Sequence, residues 1–311
     1  MLRIGIDLGG TNIAGGLVSD DGEIVFKKSI STVTDKGESG LLDAILSLCK
    51  SLIARADSEE ITSIGIGVPG HADNREGLVV YCNNIPFENT CLSKFITENT
   101  GLSCNIGNDA NAAALAEVLF GVARGLDSAI MVTLGTGVGG GIIIGKRIFD
   151  GCNGSAGEIG HMSLFPDGKE CNCGRRGCFE LYASATALKE QTQKAMENHP
   201  ESKLWEFAKS PLEANGKTAF DAMRAGDDVG KSVVEQYIKY LSVGIVNLVN
   251  CFCPEAIIFG GGIAKEGETL LSPIREILSR EQYSDYNKKT ALLTASLGND
   301  AGIIGAAFLG E

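Results

Sequence analysis

Two stretches of the chain decide its fold: LRIGIDLGGTNIAGGLV at residues 2–18 and SAIMVTLGTGVGGGIIIG at residues 128–145. Each has the apolar, β-branched composition of a strand, followed by a glycine turn and a second strand. Ile4–Thr11 aligns with Ile130–Gly137, so the pattern recurs after 126 residues. We interpret the recurrence as an internal duplication, with two unrelated hairpins as the alternative. It predicts two related α/β lobes, each offering a glycine turn to a shared cleft.

The rest of the chain alternates strand and helix patterns, which is typical of an α/β fold with helix-covered sheets. We expect a small lobe at residues 1–109, completed by a C-terminal helix at 298–311, and a large lobe at 110–297. Helical spacing of apolar residues predicts helices at Glu38–Arg55, Leu92–Thr100, Ala110–Phe120, Ala183–Asn198, Thr218–Ala225, Lys231–Phe252, Leu270–Leu278 and Ala301–Leu309.

Composition narrows the possible functions. The chain has 311 residues, of which 44% are hydrophobic, and a formal net charge of −12. Proteins that bind nucleic acids need a basic face to displace counterions, so no nucleic-acid partner is expected. No apolar run is long enough to cross a bilayer and no signal peptide opens the chain, so we predict a cytoplasmic protein without membrane contact. The ten cysteines are then expected to be reduced.

A dense group of metal-binding residue types lies in the loop GSAGEIGHMSLFPDGKECNCGRRGCFE, at residues 154–180. The side chains of His161, Cys171, Cys173 and Cys178 form a set of four, although the whole chain has only three His. Four thiolate and imidazole donors are typical of a closed, structural Zn²⁺ site. Such a site would also fix Glu158 and Glu180, which makes both carboxylates candidates for binding a polar ligand.

Three glycine-rich turns suit a nucleotide. The sequence Asp7–Asn12 ends a predicted strand, and glycine turns expose backbone N–H groups that bind anions. The carboxylate of Asp7 is costly in an apolar strand unless a positive group pairs with it, and Mg²⁺ carried by a nucleotide would do so. The turn at Gly135–Gly141 is equally suited to phosphates, and Gly260–Gly262 leaves room for a flat ring such as adenine.

The pair Asn108-Asp109 lies between a short predicted strand and a helix. Either side chain can cap that helix, because a short oxygen-bearing side chain accepts N–H groups of the first turn. A carboxylate at this place is also suited to take a proton from a substrate hydroxyl during phosphoryl transfer. Asp109 is therefore a candidate catalytic base, with helix capping as the alternative role.

These motifs together resemble the ROK family of sugar kinases, within the actin-like ATPase clan, and most closely its bacterial glucokinases. The matching sequences, in the order of the family, are DLGGT at 7–11, GIGVPG at 65–70, NDANA at 108–112, GTGVGGG at 135–141, GEIGH at 157–161, the cysteine run at 171–178 with Glu180, and FGGGI at 259–263. They span nearly the whole chain. The resemblance implies a two-lobed actin-like (ribonuclease H-like) fold with the active site in the cleft between the lobes.

The resemblance also implies an activity and its residues: ATP-dependent phosphorylation of the 6-hydroxyl of glucose, in glycolysis, with Asp109 as general base. Sugar hydroxyls would be bound by Asn83 or Asn84, Asn108, Asp109, Glu158, His161 and Glu180. Nucleotide contacts would come from Asp7, Gly9, Gly10, Thr11, Asn12, Thr136, Gly137, Gly261 and Gly262. The expected cofactors are Mg²⁺ with the ATP and a structural Zn²⁺ on His161, Cys171, Cys173 and Cys178. A homodimer or higher oligomer is expected.

Several alternatives stay open at this point. N-acetylmannosamine, N-acetylglucosamine, allose or fructose are other substrates within the family, and a non-catalytic sugar-sensing protein is the alternative of a different class. Asn12 stands where many members carry Lys or His, which removes one expected cation near the phosphates. Some members are repressors with an N-terminal helix-turn-helix, whereas the first predicted strand here begins at residue 2.

Overall fold

The computed structural model describes residues 1–57, 59–82, 85–284 and 290–310. Its strands are β1 Leu2–Leu8, β2 Asn12–Ser19, β3 Ile24–Ser31, β4 Ile61–Val68, β5 His71–Asp73, β6 Leu78–Tyr81, β7 Glu88–Thr90, β8 Cys104–Asn108, β9 Ser128–Leu134, β10 Val138–Ile144, β11 Arg147–Ile148, β12 Ala256–Gly261 and β13 Ala291–Thr294. Its α-helices are α1 Gly37–Arg55, α2 Leu92–Thr100, α3 Asp109–Leu119, α4 Glu180–Ala183, α5 Ala185–Asn198, α6 Leu204–Phe207, α7 Thr218–Arg224, α8 Asp228–Phe252, α9 Glu268–Glu281 and α10 Ala301–Ala307.

Two five-stranded sheets have the same strand order. The first runs β3-β2-β1-β4-β8 and the second runs β11-β10-β9-β12-β13. In the first, β1 pairs antiparallel with β2 and parallel with β4, so the hairpin lies on one side of β1 and the later strands on the other. The strands β1 and β9, which carry the predicted repeat, hold equivalent central places, and this supports an internal duplication. A small antiparallel sheet of β5, β6 and β7 is separate.

The chain divides into two compact units, each built from separate segments. The first unit comprises 1–131, 141–157 and 296–311, and the second comprises 132–140 and 158–295. The lobe boundaries expected from the sequence, 1–109 with 298–311 and 110–297, stay a prediction, and these units divide the chain at other residues. Within the described ranges, no helix is both long enough and apolar enough to cross a membrane.

The alternation of side chains along β1 builds the core of the first unit. Ile4 and Ile6 point to one face, where they are buried in one core with Leu48 and Leu52 of α1. Gly5 and Asp7 point to the opposite face. A Cβ on Gly5 would stand 1.9 Å from the carbonyl oxygen of Ile303, so the backbone of α10 lies directly on the strand.

Two further glycines allow equally close backbone contact in the first unit. A Cβ on Gly65 of β4 would stand 1.7 Å from the carbonyl oxygen of Ala306 in α10. A Cβ on Gly305 would stand 1.7 Å from the carbonyl oxygen of Ala112 in α3. The sheet, α10 and α3 are therefore packed backbone to backbone, and this fixes the start of α3 relative to β1 and β4.

Most elements match the sequence predictions, and the differences have local causes. The predicted helix Ala183–Asn198 is broken at Ser184, whose hydroxyl accepts a hydrogen bond from the N–H of Ala187 at 3.0 Å and caps α5. The short strand before Asn108-Asp109, predicted at Cys104–Ile106, continues to Asn108 because it pairs with β4 along its full length. Strands β5 and β7 were not predicted, because three residues are too few to show an alternating pattern.

Candidate active site

The first glycine turn, between β1 and β2, is closed by one hydrogen bond within the turn and by two from Thr32, the residue that follows β3. The N–H of Gly9 donates to the carbonyl oxygen of Asn12 at 3.0 Å. The hydroxyl of Thr32 donates to the carbonyl oxygen of Gly9 at 2.7 Å, and the Thr32 N–H donates to that of Thr11 at 2.9 Å. Gly10, Thr11 and Asn12 at the tip are exposed. The turn thus holds a fixed shape with its tip open to a ligand.

Asp7 lies just before this turn, on the face of β1 that α10 covers. A Cβ on Gly302 would stand 2.7 Å from the Cγ of Asp7, so the carboxylate rests against the first turn of α10. Burial raises the pKa of Asp7 above its ordinary value of 3.8, and the ammonium group of Lys27 opposes that shift. A buried carboxylate of this kind is a suitable partner for a cation that a ligand brings.

Asn108 caps α3 with most of its hydrogen-bonding capacity. Its Oδ1 accepts from the N–H groups of Ala110 at 2.9 Å and Asn111 at 3.1 Å, and its Nδ2 donates to the carbonyl oxygen of Gly70 at 3.1 Å. An amide NH₂ has two donors, so one N–H of Nδ2 is left by these bonds for a ligand hydroxyl. The cap explains the position of Asn108 and still permits the predicted sugar contact.

Asp109 is the first residue of α3 and is half-buried. Its Oδ1 accepts from the N–H of Ala110 at 2.7 Å. A Cβ on Gly67 would lie 3.5 Å from the Cα of Asp109, and Gly67 is also the direct neighbour of Asp7 across the β1–β4 pair. Asp7 and Asp109 therefore lie on one face of the first sheet, on either side of a glycine.

Burial, and secondly the charge of Asp109, raise the pKa of the Cys82 thiol to about 11.

The second unit brings the four predicted metal-binding side chains together. The ligand atoms of His161, Cys171, Cys173 and Cys178 all lie within 4.8 Å of one another. The Sγ atoms of Cys173 and Cys178 are 3.6 Å apart, and the Sγ of Cys171 is 3.7 Å from the Nδ1 of His161. Tetrahedral zinc with Zn–S bonds of about 2.3 Å places its ligand atoms about 3.6 to 3.8 Å apart. The donor set therefore fits a tetrahedral ion in both chemistry and spacing.

The loop at residues 154–180, which carries these four side chains, also positions two carboxylates. The Oε1 of Glu180 lies 3.4 Å from the Sγ of Cys171 and 3.7 Å from the Nδ1 of His161. The Nε2 of His161 faces the other way, 3.9 Å from the Oε2 of Glu158. Binding of a metal by Nδ1 would leave the proton on Nε2, so His161 would offer a hydrogen-bond donor between acidic groups.

Packing in the second unit fixes the start of α4, where Glu180 lies. Phe179 is fully buried, and a Cβ on Gly244 of α8 would stand 2.3 Å from the Cζ of its ring. At the other end of α4, the buried hydroxyl of Tyr237 donates to the carbonyl oxygen of Ala183 at 2.8 Å. The position of Glu180 is therefore fixed on one side by the Phe179 ring, which packs where Gly244 has no side chain, and on the other by the hydrogen bond between Tyr237 and Ala183.

The second glycine turn lies between β9 and β10 and contains Thr136. The N–H of Gly135 donates to the carbonyl oxygen of Gly137 at 3.1 Å, and the Gly135 carbonyl accepts from the N–H of Ala185 at 2.8 Å. Nearby in the second unit, β12 ends at Gly261, whose φ of +85° favours glycine. A Cβ there would stand 2.4 Å from the carbonyl oxygen of Leu134, whereas a Cβ on Gly262 would meet no atom of the described residues within 4 Å.

The structure thus brings the predicted residues together in two groups, one in each unit. The first unit holds Asp7, Gly9, Gly10, Thr11, Asn12, Asn108 and Asp109 near the ends of β1, β4 and β8. The second holds Thr136, Gly137, Glu158, His161, Glu180, Gly261, Gly262 and the three cysteines. Asn83 and Asn84, also predicted to bind sugar, lie outside the described residues.

Sequence reasoning missed a buried carboxylate that supports α3. Glu117 is fully buried, and its Oε1 accepts from the N–H groups of Ser296 at 2.7 Å and Leu297 at 2.8 Å. Its Oε2 accepts from the N–H of Val122 and the hydroxyl of Ser296, both at 2.9 Å. A single Glu in the alanine-rich run NDANAAALAEVL was the available signal, since an acidic residue on an otherwise apolar helix needs partners.

Comparison with known proteins agrees with these features. The profile of the ROK family matches residues 3–311. A glucokinase of Thermotoga maritima is 36% identical over 305 residues, which are 98% of this chain and 95% of that protein. A xylose repressor of Bacillus subtilis is 31% identical over 304 residues, which are 97% of this chain and 75% of the repressor.

A solved structure agrees equally well. The ROK family glucokinase of Streptomyces griseus, in complex with glucose and AMPPNP, has a TM-score of 0.81 and 36% identity, and each chain covers 99% of the other. The two related sheets and this likeness define a two-lobed α/β protein with the actin-like ATPase fold. Within that class, the chain belongs to the ROK family.

Proposed function

We propose that the protein is an ATP-dependent hexose kinase that phosphorylates the 6-hydroxyl of glucose. The observation that carries the proposal is the placement of Asp109 at the start of α3, on the same sheet face as Asp7. The relatives named glucokinase, and the structure of one bound to glucose and AMPPNP, support the substrate pair. N-acetylmannosamine, N-acetylglucosamine, allose and fructose remain the alternative substrates.

The proposed reaction needs a base beside the sugar hydroxyl, and it needs the attacking and leaving oxygens in line through the γ-phosphorus. Asp109 takes the proton of the 6-hydroxyl as the oxygen attacks the γ-phosphorus of ATP, and the bond from that phosphorus to the β–γ bridging oxygen breaks. The products are glucose 6-phosphate, ADP and one proton. Mg²⁺ carried by the ATP would neutralise developing phosphate charge, with Asp7 as its partner in the protein, directly or through water.

Sugar recognition in this proposal rests on the carboxylates, the histidine and the amides. Glu158 and Glu180 accept hydrogen bonds from sugar hydroxyls, the Nε2–H of His161 donates to one, and Asn108 uses its remaining N–H. An analogue that lacks one hydroxyl would leave a buried polar group without a partner, which discriminates strongly. Asn83 and Asn84 are part of the same proposal, on the basis of the family motif.

Nucleotide binding is proposed for the three glycine turns. The backbone N–H groups around Gly9, Gly10, Thr11 and Asn12, and those around Thr136 and Gly137, are proposed to bind phosphates. Gly261 and Gly262 would accommodate the adenosine. The exposed tip of the first turn is consistent with this, and the backbone N–H groups there compensate for the missing cation at Asn12.

The metal proposed for the Cys/His cluster is zinc, in a structural role. All four ligand positions are filled by protein atoms, so the cluster leaves no open position for a substrate. The metal would fix the loop that carries Glu158, His161 and Glu180 before the sugar binds. A homodimer or higher oligomer, action in the cytoplasm and a role in glycolysis belong to the same proposal, on the strength of family membership.

The test is ADP release with Mg-ATP across glucose, mannose, fructose, allose, N-acetylglucosamine and N-acetylmannosamine. We expect kcat/KM for glucose to exceed the others by at least about tenfold, because the hydroxyl partners are preorganised. A preference for another sugar would reject glucose and keep the kinase. Absence of turnover with every sugar, together with measurable sugar binding, would reject the kinase in favour of a sugar sensor.

A further inference from the structure

Gly137 of the second glycine turn lies against Glu180, at the end of the loop at residues 154–180. A Cβ on Gly137 would stand 2.5 Å from the Oε2 of Glu180, closer than any real Cβ contact. Gly137 does not have a positive φ, so its backbone conformation is open to other residues. The constraint on Gly137 is therefore the space beside it, which the carboxylate of Glu180 occupies.

We infer that Gly137 is a positioning residue for the sugar, because its missing side chain leaves the space in which Glu180 stands. The inference rests on the proposed role of Glu180 in binding sugar. This function of Gly137 is distinct from the nucleotide contact proposed above. The backbone of the turn would bind the phosphates, and the absence of a side chain at Gly137 would leave room for the carboxylate of Glu180, which is proposed to bind the sugar.

The internal duplication supports the inference independently. Gly10-Thr11 in the first turn aligns with Thr136-Gly137 in the second, so glycine and threonine have changed places. Thr11 is exposed and carries its side chain without obstruction. A side chain at the equivalent place in the second turn would collide with Glu180. A threonine is therefore possible at residue 11, where its side chain is exposed, whereas residue 137 must be glycine because Glu180 occupies the space of a side chain.

Glu180 has little freedom to move away from a larger residue at 137. Its other carboxylate oxygen is already 3.4 Å from the Sγ of Cys171 and 3.7 Å from the Nδ1 of His161. The residue behind it, Phe179, is fixed against Gly244. The N–H of Ala185, the first residue of α5, donates to the carbonyl oxygen of Gly135 and so ties the segment after α4 to the same turn. A methyl group at 137 must therefore displace the carboxylate itself.

The test compares Gly137→Ala with Gly135→Ala, a matched change in the same turn where a Cβ would meet nothing within 4 Å. Calorimetry measures the Kd of each protein for glucose, and steady-state kinetics measure the KM for ATP. Gly137→Ala is expected to raise the Kd for glucose by at least about tenfold, because misplaced polar groups lose their hydrogen bonds. It is expected to change the KM for ATP by a smaller factor, because the phosphate contact proposed for Gly137 is made by its backbone. Gly135→Ala is expected to leave the Kd for glucose within about twofold of wild type.

Three results would overturn the inference: an unchanged Kd for glucose in Gly137→Ala, an equal loss in Gly135→Ala, or a loss confined to ATP. If wild-type protein neither binds nor phosphorylates any sugar of the panel, the proposed function itself fails, and the inference fails with it. If wild type is active, the comparison judges the inference alone. Zinc content is measured in every variant and is expected to stay at the wild-type level.

A double-mutant cycle with Glu180→Asp isolates the contact and covers the case of a misfolded single variant. The shorter Asp side chain withdraws the carboxylate from residue 137, so adding Gly137→Ala should change the Kd for glucose by less than about twofold relative to Glu180→Asp alone. A full further loss, or a double variant that does not fold although Glu180→Asp does, would show that the glycine serves something other than Glu180.

Discussion

The carboxylate of Asp7 is held in a place that costs stability in the absence of a ligand. Burial raises its pKa above 3.8, and an acid whose folded-state pKa is raised binds its proton more tightly in the folded protein than in the unfolded one. The stability cost is therefore absent below pH 3.8, develops as the pH rises from 3.8 to the raised folded-state pKa, and is complete above it.

Asp7→Asn is accordingly expected to raise the Tm at neutral pH while abolishing Mg-ATP turnover. The gain in Tm over wild type should shrink as the pH is lowered through the folded-state pKa of Asp7, because the wild-type carboxyl then becomes neutral as well. Thermal unfolding of both proteins from pH 4 to 8 measures this. A variant that is less stable than wild type at neutral pH would contradict the assigned cost of burial.

Asp109→Asn tests the assigned base. The amide keeps the size of the side chain but cannot take a proton, so kcat should fall by about 10² to 10⁴. The Kd for glucose, measured by calorimetry, should change far less, because the amide oxygen can still accept a hydrogen bond. Turnover at the wild-type rate would remove Asp109 from the role of base.

At the residue scale, the sequence indicated candidate site residues but not the residues that they contact. The four predicted metal-binding side chains do lie close together, whereas the roles of the site residues stay predictions. Two contacts join residues more than 40 positions apart in the chain: Gly137 with Glu180, and Gly244 with Phe179. Nothing local to either member of such a pair marks the other, so only the folded structure could show them.

Among the elements, the loop at residues 154–180 is the one whose geometry is proposed to depend on an ion. Its four candidate ligand atoms lie at spacings that suit zinc. Three of its side chains, Glu158, His161 and Glu180, are proposed to bind sugar. The backbone N–H of Arg175, which donates to Cys173, lowers the pKa of that thiol and favours the thiolate that a metal requires.

Cys173→Ser should therefore lower bound zinc and glucose affinity together. A hydroxyl is a much poorer zinc ligand than a thiolate, and loss of the ion frees the loop that carries Glu180 and His161. Metal analysis and calorimetry on the same preparation measure both. Cys91→Ser is the matched control, since Cys91 is also exposed but lies outside the cluster, and it should change neither. Wild-type affinity in a zinc-free Cys173→Ser protein would separate the metal from sugar binding.

Helix and strand positions were largely predictable because apolar periodicity governs them. The failures were short elements and helix breaks, which tertiary contacts decide. The break between α4 and α5 is an example. The helix is interrupted at Ser184, and the N–H of Ala185 donates to the carbonyl oxygen of Gly135. The sequence of residues 183–198 shows good helix periodicity and carries no sign of that partner.

For the whole molecule, the decisive feature is that the first unit is discontinuous. It is completed by residues 296–311, which return after the whole of the second unit. Glu117 receives the returning chain, because its carboxylate accepts both backbone N–H groups at Ser296 and Leu297. The sequence predicted a C-terminal helix at 298–311 that completes the first lobe, but it did not predict the contact of Glu117 with residues 296 and 297, because most of the second unit separates α3 from them.

Glu117→Gln should destabilise the folded protein by about 2–4 kcal/mol, because an amide NH₂ would face backbone N–H donors that then lack an acceptor. Denaturant unfolding measures the change in free energy. The control is Glu98→Gln, which removes only an exposed carboxylate 3.8 Å from Lys94 and should cost under about 1 kcal/mol. Equal effects of the two substitutions would contradict the anchoring role of Glu117.

The dependence of the first unit on α10 has a consequence for protein synthesis. A ribosome delivers β1, β4 and α3 early, but α10, whose backbone lies on Gly5 and Gly65, emerges only after every residue of the second unit has been made. Domains tend to fold in the order in which they emerge. Here the later unit can fold first, while the earlier one waits with an uncovered sheet face. A nascent chain that stops short of α10 is therefore a natural target for chaperones and proteases.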